Sequence, residues 1–172
     1  MVLPVLLLPD KIFKELSDIT AEILSAEGIR GLILDIDYTL APKSMSLPED
    51  TVREFIEQLK SAGVVLYIIS NNHRNRVSRF AQALGLPYIS NGFKPFPRSF
   101  LRAVRAMGLE RSEVAAVGDQ IYTDICGAHL AGLKAWLLLP VGLKKSFLYR
   151  LRGGLEKPFI SKYYKNEARR PG

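Results

Sequence analysis

Four short apolar runs, Leu32-Ile33-Leu34, Val64 to Ile69, Val114 to Val117 and Leu133 to Leu139, punctuate the chain. None alternates with polar residues, so each reads as a strand buried on both faces. Tyr88-Ile89 is a shorter, weaker fifth. Between the runs, apolar residues recur three and four apart. Val52, Phe55, Ile56 and Leu59 mark a helix over about Pro48 to Ala62. Similar patterns mark Arg74 to Leu84, Arg98 to Met107 and Thr123 to Ala131. Ile12, Phe13, Leu16, Ile19, Ile23 and Leu24 mark an opening helix from Asp10 to Gly28. Strands alternating with helices dictate an α/β fold, a central parallel sheet joined by right-handed crossovers. A chain of 172 residues is long enough for one such domain.

In such folds ligands sit beyond the carboxyl ends of the strands. Here those ends carry Asp35-Ile36-Asp37, Ser70-Asn71-Asn72 and Gly118-Asp119, with Asp124 just beyond and Lys94 in the loop after the weak strand. Converging carboxylates repel, and a divalent cation relieves the repulsion. Oxygen-only ligands suit Mg²⁺. The Ser70 hydroxyl and the amide of the next turn are placed to hold phosphate oxygens, and Lys94 supplies positive charge to the same anion. Of the Asp35/Asp37 pair, one carboxylate can attack phosphorus while the other protonates the leaving oxygen and later activates water. Singly, each residue has an ordinary alternative: helix cap, turn former or solvated charge. Their order on successive strands carries the reading.

That order resembles the haloacid dehalogenase superfamily. Asp35-Ile36-Asp37-Tyr38-Thr39-Leu40 looks like its first motif, Ile69-Ser70-Asn71-Asn72 its second, Lys94-Pro95 its third, and Gly118-Asp119-Gln120-Ile121-Tyr122-Thr123-Asp124 its fourth. The resemblance spans about Ile12 to Pro140 and is closest to the YqeG-like phosphatases of subclass IIIA, which are similar to phosphatidylglycerophosphate phosphatases. It implies a three-layer Rossmann-like domain over residues 1–140, strands ordered 5-4-1-2-3. It implies Asp35 as nucleophile and metal ligand, and Asp37 as general acid and base with its carbonyl on the metal. Ser70 and Asn71 would bind phosphate, Lys94 would steady nucleophile and phosphate, and Asp119 and Asp124 would hold Mg²⁺. Tyr38 departs from the pattern, standing where relatives more often carry Asn, Asp or a small residue. The gaps from Leu40 to Val64 and from Asn72 to Lys94 have no room for an inserted cap domain, so the site is expected to be open. A receiver domain would need a different order of acidic residues. A non-catalytic module would have no need of Asp35, Asp37, Lys94 and Asp119 together.

Charge separates the chain unevenly. From Val141 onward nine basic residues face two acidic ones, a surplus equal to the +7 of the whole chain. Residues 141–172 therefore read as a basic appendage, its cations interleaved with Phe147, Tyr149, Phe159, Tyr163 and Tyr164. Gly153-Gly154 and Pro158 are expected to break any long helix there. The composition suits an anionic membrane surface, docking on the domain or a partner, or, less well, nucleic acid whose bases could stack on the aromatics. Oligomeric state has no sequence signal. The expected substrate is a phosphate presented on a large body, a phospholipid by resemblance; nucleic-acid ends or soluble phosphates are the alternative. Met1 to Pro9 is apolar but short and lacks the basic start of a signal peptide, so it reads as an edge segment or a bilayer contact. No segment reaches the about 18 apolar residues of a membrane span. A single cysteine, Cys126, forbids an internal disulfide and fits a reducing cytoplasm, with attachment to the inner membrane face as the tail's implication. Cys126 and Trp136 read as core residues, and His73 and His129 as structural.

Overall fold

The structure is a computed structural model that describes residues 3–139 and 147–169, with side chains described for 5–139 and 154–169. Its strands are β1 (Lys11–Phe13), β2 (Gly31–Leu34), β3 (Val65–Ile69), β4 (Tyr88–Ile89), β5 (Val114–Gly118) and β6 (Lys134–Leu138). Its helices are α1 (Leu3–Leu6), α2 (Ala21–Ala26), α3 (Asp50–Ser61), α4 (Arg74–Ala83), α5 (Arg98–Met107), α6 (Cys126–Leu130) and α7 (Phe147–Glu167). All strand pairs are parallel, in the order β1-β6-β5-β2-β3-β4.

Alternation along the strands builds two cores. Leu32, Leu34, Leu66, Ile68 and Trp136 face one way, against Val52, Phe55 and Ile56 of α3 and Val77 and Phe80 of α4. Ile33, Ile69, Ala116 and Leu137 face the other way, against Phe100, Ala103 and Val104 of α5. Helices on both faces of a parallel sheet make three layers, an α/β Rossmann-like arrangement. The connection from β2 to β3 holds a loop and α3, and the one from β3 to β4 holds α4.

The opening segment differs from the single helix that its periodicity predicts. Lys11–Phe13 instead adds a sixth strand at the sheet edge, pairing Ile12 with Leu137 of β6. Asp10 anchors it: its N–H donates to the Ala135 carbonyl at 2.8 Å, and its carboxylate accepts the Ala135 N–H at 2.7 Å. Phe13 lies 5.3 Å from the Trp136 ring. A capping box between Glu15 and Asp18 then closes a 3₁₀ turn, Leu16–Asp18, and Thr20 caps α2. Stop and start signals inside the periodic stretch cut it short. His129 ties α1 to this corner, bonding the Leu6 carbonyl at 2.9 Å and Asp10 at 3.0 Å.

The tail also departs from expectation. One helix, α7, runs through Gly153, Gly154 and Pro158. Docking offsets the cost of the interior proline: Phe159 and Ile160 pack on the second core. The Tyr122 ring meets Phe159 edge-on at 6.2 Å, and the Tyr122 hydroxyl donates to the Leu155 carbonyl at 3.1 Å. Buried Glu156 accepts the Ile121 N–H at 3.1 Å. Lys144, Lys145 and Arg170, part of the basic surplus, lie outside the described residues. Among the described residues no helix is long and apolar enough to cross a membrane.

Trp136 is the largest fully buried side chain. Trp136→Ala should destabilise the protein by about 3–5 kcal/mol, measured by urea unfolding. Trp136→Phe should cost less, because the indole N–H has no hydrogen-bond partner to lose. A loss below about 1 kcal/mol for the alanine variant would contradict this packing.

Candidate functional site

Strand register assembles the site. Leu34 pairs with Ile68 on one side and Val117 on the other. The residues leaving the same ends of the three central strands are therefore Asp35, Ser70 and Asp119. The Asp35 N–H still donates to the Val117 carbonyl at 3.0 Å, so its position is fixed by the sheet. Thr39, one turn on, donates to Asp35 Oδ2 at 3.4 Å.

Lys94 reaches in from the β4–α5 loop. Its ammonium donates to Asp35 Oδ1 at 2.6 Å, to Asp124 Oδ1 at 2.5 Å and to the Ile69 carbonyl at 3.2 Å. Sequence alone left Lys94 a candidate for solvation; it is buried. Asn71 holds the loop reciprocally, accepting the Lys94 N–H at 2.7 Å and donating to the Lys94 carbonyl at 3.1 Å. The Ser70 hydroxyl accepts the Asn72 N–H at 3.1 Å and is itself buried.

Asp35, Asp119 and Asp124 are all buried, with ligand oxygens within 4.8 Å of one another. With all three ionised, they carry two more negative charges than Lys94 offsets. A hard divalent cation matches that charge and that oxygen-only donor set. Burial pushes the Asp35 carboxyl up to about 7, with Lys94 opposing the rise and Asp124 and Asp119 adding to it. Burial works against the Lys94 charge, yet Asp124 and Asp35 together raise its pKa above the ordinary lysine value. Asp124 enters the cluster from a π-helical turn, Ile121–Ile125, in place of the α-helix expected from Thr123. Its Oδ2 accepts the Gln120 N–H at 3.0 Å. Gly118 makes room for it, since a Cβ at that position would overlap the Asp124 carboxylate.

Asp37 stands apart from the cluster. Arg76 donates to its Oδ1 through Nη2 at 2.6 Å and Nε at 3.0 Å, and Asn72 donates to Oδ2 at 3.0 Å. Arg76 also donates to the Met45 carbonyl at 2.6 Å. Sequence reasoning assigned Arg76 and Asn72 no role; Arg76 lies in the first turn of α4 and Asn72 in the loop just before it, and both reach Asp37. Tyr38 turns the chain between Asp35 and Thr39 in a left-handed conformation, φ +66°.

Residues 10–132 match the haloacid dehalogenase-like hydrolase family. The chain belongs to that family. It is 34% identical over 154 residues, 90% of each chain, to the probable phosphatase YqeG of Bacillus subtilis (strain 168). Among solved structures it resembles the cobalt-bound deoxy-D-mannose-octulosonate 8-phosphate phosphatase YrbI of Haemophilus influenzae. That match has a TM-score of 0.56 and 12% identity, covering 84% of this chain and 95% of that one. A subfamily III A hydrolase of the same superfamily from Legionella pneumophila matches with a TM-score of 0.53 and 21% identity, covering 84% and 94%. The two structural matches show the fold. This haloacid dehalogenase-like hydrolase is a phosphatase.

Two measurements test the acidic cluster. Divalent-metal affinity should fall as pH drops through about 7, because Asp35 then takes a proton in the metal-free protein; it should level off above. Gly118→Ala should displace Asp124 and weaken the metal by about tenfold or more, as supporting changes at metal sites commonly do. Titration calorimetry reads both. Affinity independent of pH between 5.5 and 8 (roughly one and a half units below to one above that value), or unchanged by the alanine, would contradict the assignment.

Proposed function

We propose that the protein is a Mg²⁺-dependent phosphomonoesterase working through an aspartyl-phosphate at Asp35. The observation that carries this is the buried Lys94 ammonium bridging Asp35 and Asp124 beside Asp119. Asp35, Asp119 and Asp124 would hold the metal, with the Asp37 carbonyl as the further ligand implied by resemblance. The ion supplies charge that lets a carboxylate approach a phosphate dianion.

The chain's own residues account for the rest. The Asp35 carboxylate attacks phosphorus, and the P–O bond to the leaving group breaks. Asp37 gives a proton to the departing alkoxide. Asp37 then takes a proton from the water that attacks the aspartyl-phosphate, releasing phosphate and restoring Asp35. Ser70 and the Asn71 amide hold the phosphate oxygens, and Lys94 keeps Asp35 oriented. Arg76 and Asn72 fix the orientation of Asp37.

The short connections after β2 and β3 support an uncapped site, and an uncapped site suits a phosphate borne by a large body. Phosphatidylglycerophosphate is the substrate that the subclass IIIA resemblance implies; a nucleic-acid end or a soluble phosphate ester is the alternative. Working at the inner face of a membrane follows from the lipid substrate.

Asp35→Asn should abolish turnover, because an amide cannot form the phosphoenzyme. Asp37→Asn should slow it by about 10²–10⁴-fold. A phosphate-release panel should include phosphatidylglycerophosphate in mixed micelles, DNA 3′-phosphate, nucleotides and sugar phosphates, with and without chelator. Wild-type turnover in purified Asp35→Asn, or activity indifferent to chelator, would overturn the mechanism.

A further inference from the structure

The near-neutral charge of residues 1–140 conceals a separation. Residues 70–109 contain six arginines and Lys94 and no acidic residue. They comprise α4, the edge strand β4, the Lys94 loop and α5, with α4 and α5 on opposite faces of the sheet. Arg76 and Lys94 are engaged with Asp37 and Asp35. The other five arginines make no ion pair among the described residues. Arg98, Arg102 and Arg105 follow one another at spacings of four and three, a single stripe along α5.

Two phenylalanines stand beside that stripe. Phe93 is 73% exposed and Phe96 70% exposed, and between them sits the buried Lys94. Phe93 has φ +52°, a left-handed conformation that is an outlier for a bulky residue. The loop is held there from several sides. The Asn91 N–H donates to the Asn72 carbonyl at 3.0 Å, the Gly92 N–H to the Ser70 carbonyl at 2.9 Å, and the Ser99 hydroxyl to the Gly92 carbonyl at 2.7 Å. The fold thus spends backbone strain on presenting a large apolar ring to water, a combination that points to something outside the chain. Phe93 and Phe96 line a groove of about 690 Å³ with Ile89, Leu101, Arg98 and Arg102. They also line a smaller cavity of about 290 Å³ with Asn71 and Lys94, which joins them to the catalytic centre.

We propose that Phe93 and Phe96, with the arginine stripe of α5, dock the enzyme on an anionic phospholipid bilayer. The occupant follows from the chemistry of the surface. An apolar groove bordered by guanidinium groups matches acyl chains beneath anionic headgroups. Phenylalanine has no polar handle and gains most by leaving water altogether, and each cation near an anionic surface adds to the attachment. The aromatic pair borders Lys94, so docking through it sets the mouth of the site at headgroup level. The inference rests on the function proposed above, since it names the surface from which a lipid-borne phosphate reaches Asp35. It also assigns that surface to the body rather than to the tail, whose Phe159 and Ile160 are engaged with the second core.

The test is co-sedimentation of the full chain with phosphatidylglycerol/phosphatidylcholine vesicles and with pure phosphatidylcholine vesicles, alongside turnover of p-nitrophenyl phosphate. The wild type should favour the anionic vesicles at low salt and lose them near 1 M salt, where the Debye length is about 3 Å. F93N/F96S keeps a residue type that tolerates positive φ; it should lower vesicle partitioning by about tenfold or more. R98Q/R102Q should reduce the preference for anionic vesicles by about tenfold. R98Q/R102Q should hydrolyse p-nitrophenyl phosphate as the wild type does. Soluble turnover without a preference for anionic vesicles overturns the docking surface, and so does vesicle binding that neither variant changes. Tighter binding to a single-stranded oligonucleotide, lost in the same variants, also overturns it and makes the surface a nucleic-acid site. Vesicle binding lost in both variants, with no turnover of any phosphate ester by the wild type, supports the surface and removes the phosphatase reading instead.

Discussion

A single buried ammonium holds the site together. Lys94 lies between Asp35 and Asp124, at 2.6 and 2.5 Å, with little of any of the three side chains exposed. Burying one charge without partners is prohibitive, and burying three carboxylates without a cation more so. Each surrounding feature lowers that cost. Asn71 locks the Lys94 backbone from both sides. The vacancy at the Gly118 Cβ position lets Asp124 come close. The parallel register brings Asp35 and Asp119 out at the same height. What remains is a deficit of positive charge, which a divalent cation fits.

The outline of this site was legible because its parts occupy the ends of strands that announce themselves. Leu32-Ile33-Leu34 and Val114 to Val117 are too apolar to lie anywhere but inside, and the residue after each is an acid or a Gly-Asp pair. The parts that escaped depend on contacts between distant segments. Lys11–Phe13 is a strand because β6 offers an open edge and Asp10 ties onto Ala135, 125 residues away. Nothing local to Ile12 and Phe13 distinguishes that edge from a helix face. Arg76 and Asn72 gain a role only because the first turn of α4 and the loop before it bring them to Asp37. Pro158 is a helix breaker by local rules, yet α7 continues through it where the half-buried Phe159 and Ile160 pack on the second core. At Pro158 tertiary packing outweighs a local preference of about 3 kcal/mol.

The tail therefore has a second part in the structure. Glu156 is buried and bonds the Ile121 N–H, two residues beyond Asp119 and at the start of the turn that carries Asp124. A helix outside the βα alternation thereby steadies the loop that presents two of the three clustered acids, Asp119 and Asp124.

The central claim is that Asp35 becomes covalently phosphorylated during turnover. Rapid quenching of the enzyme with substrate, followed by borohydride reduction and peptide mass spectrometry, tests it most directly, since reduction converts an aspartyl-phosphate to homoserine. The account predicts homoserine at position 35, dependent on substrate and on divalent metal. Homoserine at another aspartate, or continued turnover with residue 35 never modified, would contradict it.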